Sequence, residues 1–487
     1  MTTFSRRTIL SAAALGGLVT ALPARAWRTG KAKKKTNTDV LVVGSGLSGI
    51  VSAVSALENG ADVLLIDKAD RRLRGGNSRV CLGSFLMPES DGEEARRAFV
   101  EDVAKKSLGG GRTDLYAVLG DNIRTDIAWL EAMGAGFEKW MRSDPWRLGV
   151  RIASPGQYRG MPKLLETLHG IFEKNGGKAR YRTKAKALLL DDRGAVCGCR
   201  VLTKEGLEDI FAKAVILGTG GYSANRSMLE AAHPGGAGLL VRGNPWNTGD
   251  GIALTTEIGA ATRGMAGVES LHLPVVYRGP NGNGSPTRAM PYGLGVNLEG
   301  RRFVDESIGY ASFGKGVLQQ PSQTAALVWS AETQEREPRI NMSVELFKKT
   351  GGGYFEAKNV EELAAKLGIS ASALRQTVVD FNAAVREDGS APDAVPPKRA
   401  LATKIDPDRP MRAFFPLTPS ITMVYGGLVI DKHARILEAD GTVIPNLYAA
   451  GETVNLYFHD YHGGGILSQC VVFGRIAGRE AARRAKA

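Results

Sequence analysis

The sequence predicts an α/β fold interrupted by an inserted domain, and three observations predict it. A strand-turn-helix-strand unit opens at Asp39, buried strands ending in small residues recur after it, and this rhythm stops from about Met265 to Pro416 before strands resume. A chain of 487 residues is also too long for one simple core.

The first unit begins with Asp39-Val40-Leu41-Val42-Val43, an apolar strand running into Gly44-Ser45-Gly46-Leu47-Ser48-Gly49 and then a helical pattern. In this GxGxxG spacing Gly44 permits the tight turn, Gly46 lets backbone approach a pyrophosphate, and Gly49 lets the helix pack closely on the strand. The helix start offers free N–H groups and partial positive charge to phosphates. The helical pattern ends at Gly60, and residues 61–66 supply a second buried strand that completes a βαβ unit. Asp67 closes that strand, where an acid accepts hydrogen bonds from a ribose. A carboxylate there repels a 2′-phosphate, so an unphosphorylated adenine nucleotide is expected.

Next come a second glycine turn, Arg74-Gly75-Gly76-Asn77-Ser78, and a helical region over residues 93–133. A helix starts at Met161-Pro162, with proline in its first turn, and ends near Gly176-Gly177. Short strands over 187–190 and 196–202 flank the hairpin turn Asp191-Asp192-Arg193-Gly194. The buried strand 214–217 ends in Gly218-Thr219-Gly220-Gly221, and Asn247-Thr248-Gly249-Asp250 enters another helix. In the interrupted region, helices are expected over 360–367 and 371–385, with Ser370 as N-cap and a polar, proline-rich linker at 390–397. Strands return at 427–431 and 446–452, and Gly463-Gly464-Gly465 enters a C-terminal helix. The sequence has no internal repeat.

The amino terminus, Ser5-Arg6-Arg7-Thr8-Ile9-Leu10, precedes a short apolar run and Leu22-Pro23-Ala24-Arg25-Ala26. This pattern is that of a twin-arginine export signal over residues 1–26, with cleavage after Ala26 and delivery to the periplasm. The apolar run is short for a membrane span, so no stable membrane insertion is expected after cleavage. A basic linker, 27–38, follows.

The net charge of +13 is spread along the chain, with Arg6, Arg7 and Arg25 in the signal and clusters at Lys31, Lys33, Lys34 and Lys35 and at Arg483, Arg484 and Lys486, read here as solvated, mobile ends. No nucleic-acid module accompanies them. Four cysteines, Cys81, Cys197, Cys199 and Cys470, are too few and too badly spaced for a disulfide scaffold or a zinc site. His459, Asp460 and His462 have poor ligand spacing, so no metal is expected. Without C-x-x-C-H the chain carries no covalent haem of its own.

In this order, the motifs resemble the FAD-containing family of fumarate reductase and succinate dehydrogenase flavoproteins, which also includes 3-ketosteroid Δ1-dehydrogenases. The resemblance runs from about Asp39 to Arg479, and Gly300-Arg301-Arg302-Phe303-Val304-Asp305-Glu306 and the runs 448–452 and 463–468 join the turns above in carrying it. It implies a Rossmann-like FAD-binding domain of the GR2 type, over 39–264 and 417–487, with an inserted α+β capping domain over 265–416 and substrate trapped beside the flavin.

By that resemblance Gly44, Ser45, Gly46, Ser48 and Gly49 hold the FAD pyrophosphate, Asp67 with Lys68 the ribose, and Ala185, Thr219 and Gly220 the adenine and phosphate side. Gly76, Asn77, Ser78, Asp250, Glu452, Leu467 and Ser468 fall toward the flavin. Family members with covalent FAD carry a histidine just after the second glycine turn. Asn77 and Ser78 stand there, so dissociable FAD is expected.

Soluble fumarate reductases hold a dicarboxylate with two arginines and two histidines, one arginine also delivering the proton. Here His272 matches one histidine, the proton-donor arginine falls on Tyr310, the second histidine on Met423 or Thr422, and the second arginine on Tyr461. Charge-assisted bonds to carboxylates contribute about 1.5–3 kcal/mol each, and tyrosine is only a neutral donor. Fumarate is therefore not the expected substrate.

Tyrosines at these places resemble the ketosteroid dehydrogenase branch, in which one abstracts a proton next to a carbonyl and the other, with a glycine N–H, polarises that carbonyl. Tyr310 matches the first role, Tyr461 with Gly465 the second, and Tyr158 or His272 is available to assist Tyr310. His462 replaces a proline common in that branch. The expectation is an exported flavoenzyme that dehydrogenates, or in reverse reduces, a carbon-carbon bond beside the carbonyl of a neutral cyclic substrate, with an external quinone or cytochrome as electron partner. The alternatives are a periplasmic enoate reductase fed by a cytochrome and a non-catalytic flavin electron-transfer subunit.

Overall fold

A computed structural model describes residues 32–81, 83–140, 149–152, 160–266, 268–269 and 286–487. The export signal, Tyr158 and His272 lie outside the described residues. The chain forms two compact units. One holds the residues up to Ala237 with Gly243–Val268 and Met423–Ala487, the other Gly238–Arg242 with Glu269–Thr422.

The first unit opens with β1 (Lys34–Val43), α1 (Leu47–Glu58) and β2 (Val63–Ile66). Val40 to Val43 and the whole of β2 are buried, as expected of strands covered on both faces, and they pair in parallel from Val40↔Val63 to Val43↔Ile66. The single helical region expected over 93–133 is two helices, α2 (Glu93–Lys106) and α3 (Thr113–Ala132). Gly109-Gly110-Gly111 lies between them, and both Leu108 and Gly109 are left-handed, so the break is backbone-encoded. Then follow α4 (Met161–Lys174), β3 (Lys178–Arg180), β4 (Lys184–Leu190), β5 (Val196–Thr203) and β6 (Gly206–Leu217).

The chain next contributes β7 (Leu240–Val241) to the second unit and returns through α5 (Asp250–Thr256). The second unit contains β8 (Leu294–Asn297), α6 (Tyr310–Leu318), β9 (Ala325–Ser330), α7 (Arg339–Thr350) and β10 (Tyr354–Ala357). It continues through α8 (Val360–Leu367), α9 (Ala371–Ala384), β11 (Met411–Leu417) and β12 (Ser420–Ile421). An antiparallel sheet in the order β8-β9-β11-β10 carries an apolar cluster built with α8 and α9. A second cluster gathers Trp329, Phe347 and Phe414, with ring centroids 3.8 Å apart for Phe347 and Phe414. β7 pairs in parallel with β12, which places 238–242 with this unit, although the sequence reading left it in the first.

The chain closes the first unit with β13 (Arg435–Leu437), β14 (Val443–Ala449) and α10 (Gly465–Lys486). The main sheet runs β13-β14-β6-β1-β2-β3, with β4 and β5 joined through β6. β14, β6, β1, β2 and β3 are parallel, while β13, β4 and β5 add antiparallel pairings.

Three expectations need correction. The basic run is no loose linker from Lys34 onward, because Lys34 and Lys35 pair in β1 with Glu208 and Asp209 of β6. The basic C-terminus is the last turn of α10, where cations favour the helix end and Arg484 Nε donates to Asn446 at 2.7 Å. Residues 390–397 are no solvated linker either. Ala391 and Ala394 belong to the cluster under α8 and α9, and Ala391 bridges to Lys398.

Candidate active site

The first glycine turn has the geometry its sequence implied. Gly44 is left-handed at φ 107°, and a Cβ there would lie 2.3 Å from the Gly218 carbonyl oxygen. At Gly49 a Cβ would meet the Gly44 oxygen at 1.9 Å, so helix α1 sits directly on the strand end. A Cβ on Gly46 meets protein no closer than 3.7 Å, leaving its face open. No side chain caps α1 from Gly46. Apart from the Leu47 amide, which donates to Ser78 Oγ at 3.2 Å, an open backbone face beside the first amides of α1 is a cradle for a phosphate.

The second glycine turn rests on the first. Ser78 Oγ accepts from Leu47 N at 3.2 Å, and Gly75 N donates to Ser45 Oγ at 3.3 Å. Gly76 opens the short turn that carries Asn77. Ser48 is buried, with its hydroxyl where a Cβ on Gly451 would fall. His169 Nε2 lies 3.3 Å from the Ser45 carbonyl, while its Nδ1 is buried without a partner. Burial, aided by Arg74, pushes this imidazole down to about 4.

Asp67 ends β2 with its carboxylate already engaged, accepting from Ser45 N at 2.8 Å and from Ala69 N at 2.7 Å. Its neighbour Lys68 donates to Asp250 at 2.7 Å, and Lys184 lies 3.5 Å from the same carboxylate. Burial opposes the ionised form of Asp250, but the two lysines outweigh it and hold the carboxyl below its ordinary value. Asp250 therefore stands with Lys68 and with β4, the strand of Ala185.

A second network surrounds Glu452. Its carboxylate accepts from Asn77 at 2.9 Å, Asn247 at 3.0 Å and the Val424 amide at 3.0 Å. Burial raises its pKa, offset by these donors. Asn77 in turn accepts from the Asn244 amide at 2.7 Å. Thr219 lies 3.3 Å from Thr453, and Gly220 is left-handed with Asn247 packed where its Cβ would be. Asn244 escaped the sequence reading, and Asn247 was named there only as the start of the Gly249-Asp250 turn.

Two residues at the start of α10 are already engaged within the chain. Ser468 donates its hydroxyl to the Leu86 carbonyl at 2.7 Å and accepts from the Leu86 amide at 2.8 Å, while its own amide donates to Gly464. Both polar groups hold backbone, so Ser468 anchors the segment at Leu86. The Gly465 amide donates to the His462 carbonyl at 3.0 Å, and the Tyr457 hydroxyl lies where its Cβ would be. That amide is thus occupied by a turn. Leu467 is buried in the same helix.

Tyr461 belongs to a group of four tyrosines. Its ring meets Tyr425 at 5.8 Å and Tyr457 at 5.9 Å, both edge-on, and Tyr457 stacks on Tyr116 at 5.6 Å. Tyr116, Tyr425 and Tyr457 are buried, whereas Tyr461 is half-buried. Charged contacts flank it on both sides. Asp460 accepts from the Tyr461 amide at 2.8 Å and pairs with Lys106 at 2.8 Å. His462 Nε2 lies 2.6 Å from Asp102, at an angle that makes no hydrogen bond. Asp102 and Lys106 are one turn apart on α2, so a single helix grips the loop on either side of the tyrosine.

In the second unit Tyr310 is half-buried at the first position of α6, packed against the aromatic cluster of Trp329. Among the described residues no cluster of His, Cys, Asp and Glu suits a metal, and the four cysteines are free thiols.

An open glycine turn, uncapped amides and a carboxylate at the end of the next strand define a dinucleotide-binding α/β protein. The chain belongs to the FAD-binding-domain family, whose model matches residues 39–467. A probable fumarate reductase of Shewanella frigidimarina is 28% identical over 462 residues, covering 92% of this chain and 75% of that protein. The open conformation of a flavocytochrome c3 fumarate reductase superposes with a TM-score of 0.74 at 27% identity, covering 99% of this chain and 82% of that one. The 3-ketosteroid-Δ4-(5α)-dehydrogenase of Rhodococcus jostii RHA1 shares the fold, with a TM-score of 0.74 at 22% identity over 94% of this chain and 99% of that one.

Proposed function

We propose that the protein is an exported, periplasmic FAD-dependent oxidoreductase acting on a carbon-carbon bond beside a carbonyl group. Family membership and the likeness to fumarate reductases support CH-CH chemistry. The observation that carries the finer reading is Tyr461, a phenol gripped on both sides by α2 at a position where the resembling dicarboxylate reductases use a guanidinium.

Bound FAD supplies the acceptor, or in reverse the donor, of a hydride. Gly44, Gly46 and the first amides of α1 would cradle its pyrophosphate, Asp67 its ribose, and Asn77 with Glu452 its flavin end. Tyr461 donates its hydroxyl to the substrate carbonyl, which acidifies the adjacent C–H, and Tyr310, ionised to its phenolate, accepts that proton. With the Gly465 amide engaged, Tyr461 carries the polarising role. Tyr310 opens a helix, the end at which negative charge is favoured. Because Asn77 and Ser78 replace a linking histidine, the FAD dissociates, and acid precipitation leaves flavin in the supernatant. Electrons are exchanged with an external quinone or cytochrome.

Tyr461→Phe and Tyr310→Phe should each slow anaerobic bleaching of the flavin by a saturated cyclic ketone about 10²–10³-fold with FAD retained. Unchanged bleaching in both would remove the tyrosine mechanism. The likeness to fumarate reductases favours a second reading, an enoate reductase fed by a cytochrome. It predicts that dithionite-reduced enzyme is reoxidised by an enoate while no saturated ketone ever bleaches the oxidised form.

A further inference from the structure

We infer that Lys68 and Asp250 act on one another rather than on the nucleotide, and that their contact latches the run 244–250 across bound FAD and sets how long it stays. The inference goes beyond the oxidoreductase reading, since it holds for any substrate. Every residue it uses lies in the first unit.

The run is tied to both ends of the cradle. At one end the Asn244 amide donates to Asn77 at 2.7 Å, the Asn244 side chain donates to the Gly76 carbonyl at 3.3 Å, and Asn247 donates to Glu452 at 3.0 Å. At the other, Lys68 donates to Asp250 at 2.7 Å and to Thr248 Oγ1, and Lys68 directly follows the strand-end carboxylate of Asp67. The run thus joins the residues proposed above for the flavin end to the one proposed for the ribose. Its two faces differ, with Asn244, Asn247 and Gly249 buried and Pro245 and Trp246 exposed. Backbone bonds hold it to the loop after β6, from the Gly249 amide to the Gly221 carbonyl at 2.8 Å and from the Ala224 amide to the Asn247 carbonyl at 2.9 Å. The Lys68 contact is what brings the end of β2 into the same closure.

The pair has the chemistry of a latch. Only 17% of the Lys68 side chain and 21% of the Asp250 side chain remain exposed. Burial pushes the Lys68 ammonium below its ordinary value against the pull of Asp250. Burial also opposes the ionised form of Asp250, which Lys68 and Lys184 together restore. Each charge leans on the other, and removing one strands its partner. Joined, the two are neutral and add nothing to the attraction of an anionic ligand. Their effect falls on the rate at which the nucleotide leaves, not on the rate at which it arrives.

The test dilutes the oxidised holoenzyme and follows FAD release by the change in flavin fluorescence, with no turnover needed. Asp250→Asn and Lys68→Met should each speed release about tenfold or more, and the double variant should be no faster than the faster single one. Lys68→Arg keeps the pair and should stay close to the natural rate. A Lys68 that served the nucleotide directly gives the opposite sign for Asp250→Asn, because the freed ammonium would hold the pyrophosphate more tightly and slow its release. A measurement on the natural protein stands apart from any folding defect of the variants: deuterium exchange over residues 244–250 should rise when FAD is removed. Unchanged release in both single variants, slower release from Asp250→Asn, additive effects in the double variant, or exchange over 244–250 that ignores the loss of FAD would each overturn the latch. The oxidoreductase reading fails separately, if holoenzyme that keeps its FAD exchanges electrons with no substrate.

Discussion

Two guanidinium groups in the second unit have opposite surroundings. Arg302 donates to both Glu306 oxygens, at 3.1 and 2.9 Å, to the carbonyls of Pro396 and Val304, and lies 4.9 Å over the Phe381 ring. Lys398 adds a second cation 3.6 Å from Glu306, its pKa lowered by burial despite that acid. Arg242 has a buried Nη1 with no partner at all. Burial alone therefore says little about a charge. A saturated one locks the fold, and an unsaturated one carries an uncompensated desolvation penalty.

The contrast can be broken or sharpened by experiment. Arg302→Met strands Glu306 and Lys398 in the interior and should destabilise the protein by about 3–5 kcal/mol in urea unfolding. A loss no greater than that of Arg242→Met would erase the distinction. His169 is the counterpart of Arg242 in the first unit, a buried ring with one nitrogen unpaired. Its pKa falls from an ordinary 6.5 to about 4 on folding, so the unfolded chain binds its proton more tightly. Stability is then full above pH ~6.5 and falls by up to about 3 kcal/mol as pH drops toward ~4. His169→Gln should flatten that window, and an unchanged pH profile would contradict the assignment. Ser468→Ala removes a saturated neutral group and should lose about 1–3 kcal/mol through the orphaned Leu86 backbone, with FAD affinity unchanged. A selective loss of FAD would return Ser468 to the cofactor site.

The βαβ unit could be read because every residue that makes it lies within one short window, from Val40 to Asp67. Gly44 needs its glycine for a local φ, and the pattern records that directly. The contacts of Ser468 were not legible because its partner, Leu86, lies 382 residues away. No spacing rule reports whether a hydroxyl has already been used. Lys34 and Lys35 looked mobile because charge runs usually are, and although both stay exposed, the distant pairing with β6 makes them a strand. The grip on Tyr461 was half visible, in Asp460 and His462, while Asp102 and Lys106 carried no signal until α2 came alongside. Arg242 was passed over entirely, since lacking a partner is a property of the folded neighbourhood and not of the residue.

The middle of the main sheet imposes an order on biosynthesis. β6 is flanked by β1 from the beginning of the chain and β14 from its end, and Glu452, at the centre of one half of the cradle, follows β14 directly. A chain still attached to the ribosome can form the glycine turn but not the network around Glu452. A chain cut before β14 lacks Glu452 and with it the hydrogen bonds that join Asn77, Asn247 and the Val424 amide.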